Sequence, residues 1–173
     1  VVLLLATISV PVYAQDGSLP GECAIDEQAT VDVMILLDQS GSLASTDPDG
    51  RRVTGAQAVV RSYATLAERV AQVRVQVAGF GTEFTSAGWQ VLNGDTRGDL
   101  LDEVTAVGGV DDDFHTDYVY AVGGAVDEFA DSTADCRILF WFTDGAHDLD
   151  EDLLQDGLER TYHPEIVTED NVA

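Results

Sequence analysis

Two short segments of the chain carry oxygen-bearing side chains at spacings that suit a hard metal ion. In Asp38-Gln39-Ser40-Gly41-Ser42 the two serines stand two residues apart, so on a tight loop both hydroxyls can face one point, with Gly41 between them easing the turn. In Thr143-Asp144-Gly145 a lone carboxylate precedes a glycine. Magnesium takes six oxygens at about 2.0–2.1 Å and keeps several of them as water. Hydroxyls and few carboxylates fit that demand. Asp38 and Asp144 would supply negative charge directly or through water, leaving the ion net positive, with one open position for an acidic side chain of a partner. Singly, these residues have ordinary readings, since a serine after a strand caps helices and Asp-Gly makes turns. The weight rests on their joint occurrence.

Other candidates carry less. Asp111-Asp112-Asp113 reads as a solvated acidic loop and stays outside the site. His115 and His147 flank the cluster, but neither has a cysteine or second histidine at zinc spacing, so both read as polar rim. Trp89 reads as edge packing and Trp141 as core. An aspartate just past a buried strand can also accept a phosphoryl group beside a metal, which makes a metal-dependent phosphohydrolase with Asp38 as nucleophile the alternative function. Phosphatases of the haloacid-dehalogenase-like kind need a second carboxylate two residues on, and Ser40 stands there. Gly-x-Ser-x-Gly elbows are absent as well. The expectation is a binding module and not an enzyme.

The elements that must position these residues alternate between two periods. Val31 to Leu37 is almost continuously apolar, as a strand buried on both faces should be. From about Arg52 to Val70, apolar residues recur at three- and four-residue steps and predict an amphipathic helix. Val73 to Phe80 alternates with period two, and Trp89 to Leu92 can return beside it as a short antiparallel edge strand. Asp99 to Val107 and Asp117 to Ala130 read as helices, Arg137 to Thr143 as another buried strand, and Leu149 to Arg160 as a helix on the far side. This pattern predicts an α/β fold: a doubly wound, mostly parallel sheet with one antiparallel edge strand and helices on both faces. Such sheets gather functional loops at the carboxyl ends of their strands. The Asp38 and Asp144 loops both lie there, and the loop from Asp111 to Asp117 can approach the same edge.

Composition limits the partners. The chain has 173 residues, 45% of them hydrophobic, enough for one sizeable core. Its formal charge of -24 comes from 32 acidic residues against 8 arginines, with no lysine. So negative a field repels nucleic acid and anionic lipid, which leaves neutral, basic or cation-bridged partners. Val1 to Val12 is a largely apolar run too short to span a bilayer, ending near the small residue Ala14. Residues 1–14 are expected to be a signal-peptide remnant lacking its charged start, and 15–30 a turn-rich linker. Export permits a disulfide, and there are two cysteines, Cys23 and Cys136, each just upstream of a predicted strand. They can bond if those strands are parallel neighbours; pairing of one with a cysteine beyond this sequence is the other reading.

Asp38-x-Ser40-x-Ser42, Thr116 at the opening of a later helix, and Asp144 in Phe142-Thr143-Asp144-Gly145 together resemble the metal-ion-dependent adhesion site of von Willebrand factor type A domains. The resemblance runs from about Val31 to Arg160 and places a domain at 31–173 whose last two strands and final helix are missing or only begun after Tyr162. It implies a secreted or cell-surface domain for adhesion or protein–protein interaction. The ligand would be a protein that presents an acidic side chain to Mg2+, with Mn2+ or Ca2+ as other candidate ions. It also implies that Thr116 joins the coordination once the partner's carboxylate is bound, coupling recognition to a loop shift. A transmembrane helix or sorting signal in the missing C-terminal region would tether such a protein.

Overall fold

Val31, Val33, Ile35 and Leu37 pack on one side of the sheet and Met34 and Leu36 on the other, and none is more than 1% exposed. A run buried on both faces belongs at the centre of a parallel sheet. The computed structural model of the protein describes residues 2–6, 23, 25–111 and 115–145. In chain order the elements are β1 (Val2–Ala6), β2 (Thr30–Asp38), the one-turn helix α1 (Leu43–Thr46), α2 (Arg51–Ala67), β3 (Gln72–Phe80), β4 (Phe84–Ser86), β5 (Gln90–Val91), α3 (Arg97–Val107), α4 (Tyr118–Ala130) and β6 (Cys136–Thr143).

The sheet order is β1-β6-β2-β3-β4, with β5 also on β3. β2 is parallel to both β3 and β6, in a register that sets Asp38 beside Phe80 and Leu37 beside Phe142. Three carboxyl ends therefore lie side by side, and the loops that follow them share one edge. Ala56 and Val60 of α2 and Leu100 and Val104 of α3 fill one face, while Ala121, Ala125 and Phe129 of α4 fill the other. The expected doubly wound α/β arrangement is what forms.

The expected antiparallel edge strand is β5, paired with β3 through Val75–Gln90 and Arg74–Val91. Two antiparallel segments join it that the residue pattern did not announce. β4 pairs with the end of β3 over three residues, too few for a period to register. β1, from the segment set aside as export signal, runs antiparallel along β6 from Val2–Thr143 to Ala6–Leu139. The helix expected over 149–160, like everything beyond Gly145, lies outside the described residues.

Cys23 and Cys136 are joined by a disulfide, with Cα atoms 5.3 Å apart, fastening the segment before β2 to the start of β6. At this amino-terminal end of the sheet a half-buried ion pair adds a second tie. Arg74 Nε donates to Asp32 Oδ1 at 2.7 Å, Nη2 donates to Oδ2, and the guanidinium lies 5.4 Å from the centroid of Trp89.

Candidate metal centre

The end of β2 carries Asp38 into the interior, where the residue is 0% exposed. Its Oδ1 accepts the Ser40 NH at 2.8 Å, and Oδ2 accepts the Thr143 hydroxyl at 2.7 Å. Beyond it the chain turns at once into right-handed helical bonding, Leu43 NH to Ser40 O and Ala44 NH to Gly41 O. Successive helical turns, and not a left-handed glycine, thus bring the two serines together. Among the described residues the glycines with positive φ are Gly50, Gly88 and Gly145, so the role expected of Gly41 is not needed. Ser40 Oγ and Ser42 Oγ lie 3.2 Å apart, and Ser42 Oγ donates to Asp144 Oδ2 at 2.6 Å. Asp144 is presented by the turn after β6, where Gly145 adopts φ +93°, a conformation that other residues rarely take, and donates its NH to Thr143 Oγ1.

Asp38, Ser40, Ser42 and Asp144 thus form one connected oxygen cluster across two strand ends. Adjacent oxygens in an octahedral shell of about 2.1 Å radius sit about 3.0 Å apart. The spacing of the two serine hydroxyls is close to that. Among the described residues no group of three or more His, Cys, Asp or Glu forms a metal cage, so hydroxyls must contribute to any coordination here. The donor set therefore fits a hard divalent cation.

Electrostatics point the same way. Burial pushes the Asp38 carboxyl above its ordinary value, hydrogen bonds from Ser40 and Thr143 pull part of the way back, and the charge of Asp144 pushes up again. Burial and the neighbouring charge of Asp144 both disfavour the Asp38 anion, and a cation beside the two carboxylates would offset that cost.

Thr116 is 2% exposed and lies on the same edge of the sheet. Its neighbours hold it to the loop after β3: the Asp117 NH donates to Gly81 O at 3.1 Å, and the His115 NH to Thr82 Oγ1 at 3.0 Å. Asp117 then caps α4, accepting the NH groups of Val119 and Tyr120. Asp111, exposed as expected, donates its main-chain NH to Gln39 O, next to Asp38 in sequence. Asp112, Asp113 and His147 lie outside the described residues.

Several participants are not among the residues singled out from the sequence. Thr46 Oγ1 donates to Asp144 Oδ2 at 2.7 Å, one helical turn beyond Ser42. Tyr118 OH lies 3.1 Å from Thr143 Oγ1. Because Thr143 gives its proton to Asp38, Tyr118 must be the donor there. The Tyr118 ring packs edge-on against Trp141 at 5.0 Å, and Trp141 against Phe80 at 5.7 Å, a floor of aromatic rings below the cluster. Only the spacing Ser42 to Thr46, four residues on a helical turn, could have suggested any of these.

No protein-family model and no curated protein sequence matches the chain. Solved structures do. The von Willebrand factor domain of the type V pili tip protein Mfa5 from Porphyromonas gingivalis superposes with a TM-score of 0.53 at 17% identity, covering 65% of this chain and 36% of that one. A structure of three N-terminal domains of the same protein gives 0.53 at 18% identity, over 64% of this chain and 19% of that one. The chain thus spans well under half of the proteins it superposes on. At such identities the likeness speaks for the fold alone, and that fold is the von Willebrand factor type A-like one.

Proposed function

We propose that this domain binds a protein partner outside the cell through one divalent cation held by Asp38, Ser40, Ser42 and Asp144, with Thr116 entering when the partner's carboxylate arrives. The observation that carries the reading is the continuous oxygen cluster at the carboxyl edge, with two hydroxyls at octahedral spacing and two carboxylates. Mg2+ is the first candidate, with Mn2+ or Ca2+ able to replace it. The ion would supply the positive charge that a strongly acidic protein lacks, and so let it attract an acidic side chain. The disulfide suits an exported protein, and pilus proteins among the superposing structures suit adhesion.

The chain's own groups would divide the work. Ser40 and Ser42 present neutral oxygens, which leave the ion's charge uncompensated. Asp144, hydrogen-bonded by Ser42 and Thr46, is held at the mouth; Asp38 contributes charge from below. Both oxygens of Asp38 already accept hydrogen bonds within the interior, which suits an anchor for a cation better than a nucleophile for a phosphoryl group.

The test is capture of glutamate- and aspartate-bearing peptides from a displayed library, in Mg2+ and in chelator, by wild type and Asp38→Ala. Capture by wild type that chelator and the substitution both abolish is expected. Capture indifferent to chelator, or hydrolysis of p-nitrophenyl phosphate that Asp38→Ala removes, would overturn the reading in favour of the phosphohydrolase.

A further inference from the structure

Arg52 stands in the first turn of α2, yet it is only 2% exposed. Its donors reach three separate segments. Nε donates to the carbonyl of Asp38 at 3.0 Å, Nη1 to Asp47 Oδ2 at 3.1 Å, and Nη2 to the carbonyls of Gly108 at 2.6 Å and Gly109 at 3.3 Å. Asp47, 4% exposed, also accepts the NH groups of Arg51 and Arg52, so the pair is fixed at the head of the helix. The approach of the 108–109 backbone depends on a missing side chain: a Cβ on Gly108 would lie 2.4 Å from Val53 Cγ2 and 2.9 Å from Val104 O. Gln39 ties the same turn from the other side. Its Nε2 donates to Val107 O at 2.8 Å, and its carbonyl accepts the Asp111 NH at 2.9 Å.

A buried ion pair is poor evidence of stability, because desolvation can cancel its attraction, and an apolar side chain of similar volume often serves the fold as well. What an arginine adds is a rigid fork that fixes several acceptors at set distances. Here the acceptors belong to the end of β2, which carries Asp38, and to the turn from Val107 to Asp111, which leads towards Thr116.

We propose that Arg52, held by Asp47, is a positioning residue of the metal centre: it locks the Val107–Asp111 turn onto the end of β2, so that the cluster's oxygens are preformed for the cation. The inference rests on the reading of Asp38, Ser40, Ser42 and Asp144 as a metal seat.

The test uses Mn2+ alone as probe, its dissociation constant read from the electron paramagnetic resonance signal of free Mn2+. Wild type, Arg52→Gln, Asp47→Asn and Arg74→Gln are compared, each with its melting midpoint. Arg74→Gln breaks the Asp32 pair at the opposite end of the sheet and controls for general loosening. Groups that orient metal ligands are worth about 10- to 100-fold in affinity. Arg52→Gln and Asp47→Asn should weaken Mn2+ by about tenfold or more, and Arg74→Gln by less than about twofold, even where it melts as low. If wild type binds no Mn2+, the metal seat itself fails and the inference with it. If wild type binds and a folded Arg52→Gln or Asp47→Asn binds equally well, the inference alone is overturned, as it is if Arg74→Gln loses as much. Should Arg52→Gln not fold, Asp47→Asn decides by the same criterion, since its amide oxygen can still accept one of the two helix NH groups.

Discussion

Asp38→Asn separates what the carboxylate does for the fold from what it does for a cation. Asparagine keeps the shape and one acceptor for the Ser40 NH, but its NH2 group meets the Thr143 hydroxyl, whose proton then loses its acceptor. A buried donor left without its acceptor costs about 1–3 kcal/mol. Against it stand the desolvation of a buried charge and the repulsion from Asp144, the causes that raise the carboxyl's pKa, and both vanish in the amide. The two effects oppose each other, so in chelator at pH 7 the variant should melt within about 2–4 °C of wild type. The pH dependence has a definite sign. A folded-state pKa raised above 3.8 means that the native protein holds a proton the unfolded chain has released. Metal-free wild type should therefore lose stability as pH rises through that window, and Asp38→Asn should lose less. Magnesium should reverse the ranking. At about 100 times its dissociation constant it should add about 2.7 kcal/mol to wild type, which for a chain of this size is roughly 5–11 °C, while the variant should gain little. Scanning calorimetry in chelator and in Mg2+ reads all of this. An equal magnesium shift in both proteins, no shift in either, or a variant that melts far below wild type in chelator would refute the reasoning.

Thr116→Ala should weaken divalent-dependent peptide capture while leaving Mn2+ affinity near that of wild type, because the threonine is expected to reach the ion in the partner-bound arrangement; equal loss of both would contradict this. Reduction of the Cys23–Cys136 bond, which spans 113 residues, removes a constraint worth up to about 4.7 kcal/mol in the chain-entropy model, and should lower the urea midpoint markedly. An unchanged midpoint, with the free thiols verified by peptide mapping, would count against a structural role. At Asp47 burial pushes the carboxyl up, but the backbone NH groups and guanidinium of Arg52 and Arg51's NH outweigh it and hold the pKa below 3.8. Its contribution is therefore present above pH 3.8 and lost as pH falls through the lowered value, so Asp47→Asn should flatten the acid limb of a stability curve.

What the residue pattern disclosed, and what it withheld, follows from the range of the interactions involved. β2 was legible because burial on both faces demands a continuous apolar run, and α2 because one buried stripe repeats at helical spacing. The positions of Asp38 and Asp144 followed from those strands, since a residue just past a parallel strand has only one edge of the sheet to occupy. Arg52 was hidden by its charge. Its burial depends on carbonyls 56 and 57 residues away, which no local window contains. Its partner Asp47 carried no signal for the same reason. β4 escaped because three residues carry no period, and its place is set by pairing with β3. β1 escaped because an apolar run looks the same in an export signal as in a strand, and only the edge of β6 distinguishes them. Gly41 was credited with a turn that ordinary helical bonding makes without it.

The most direct measurement is crystallographic: crystals of the protein grown or soaked in Mn2+, with data collected at the manganese absorption edge. One strong anomalous peak is expected within about 2.0–2.3 Å of Ser40 Oγ and Ser42 Oγ and beside the Asp144 carboxylate. That peak should vanish in Asp38→Asn. A well-ordered cluster with no peak at Mn2+ concentrations that fill other sites, or a peak unaffected by the substitution, would contradict it.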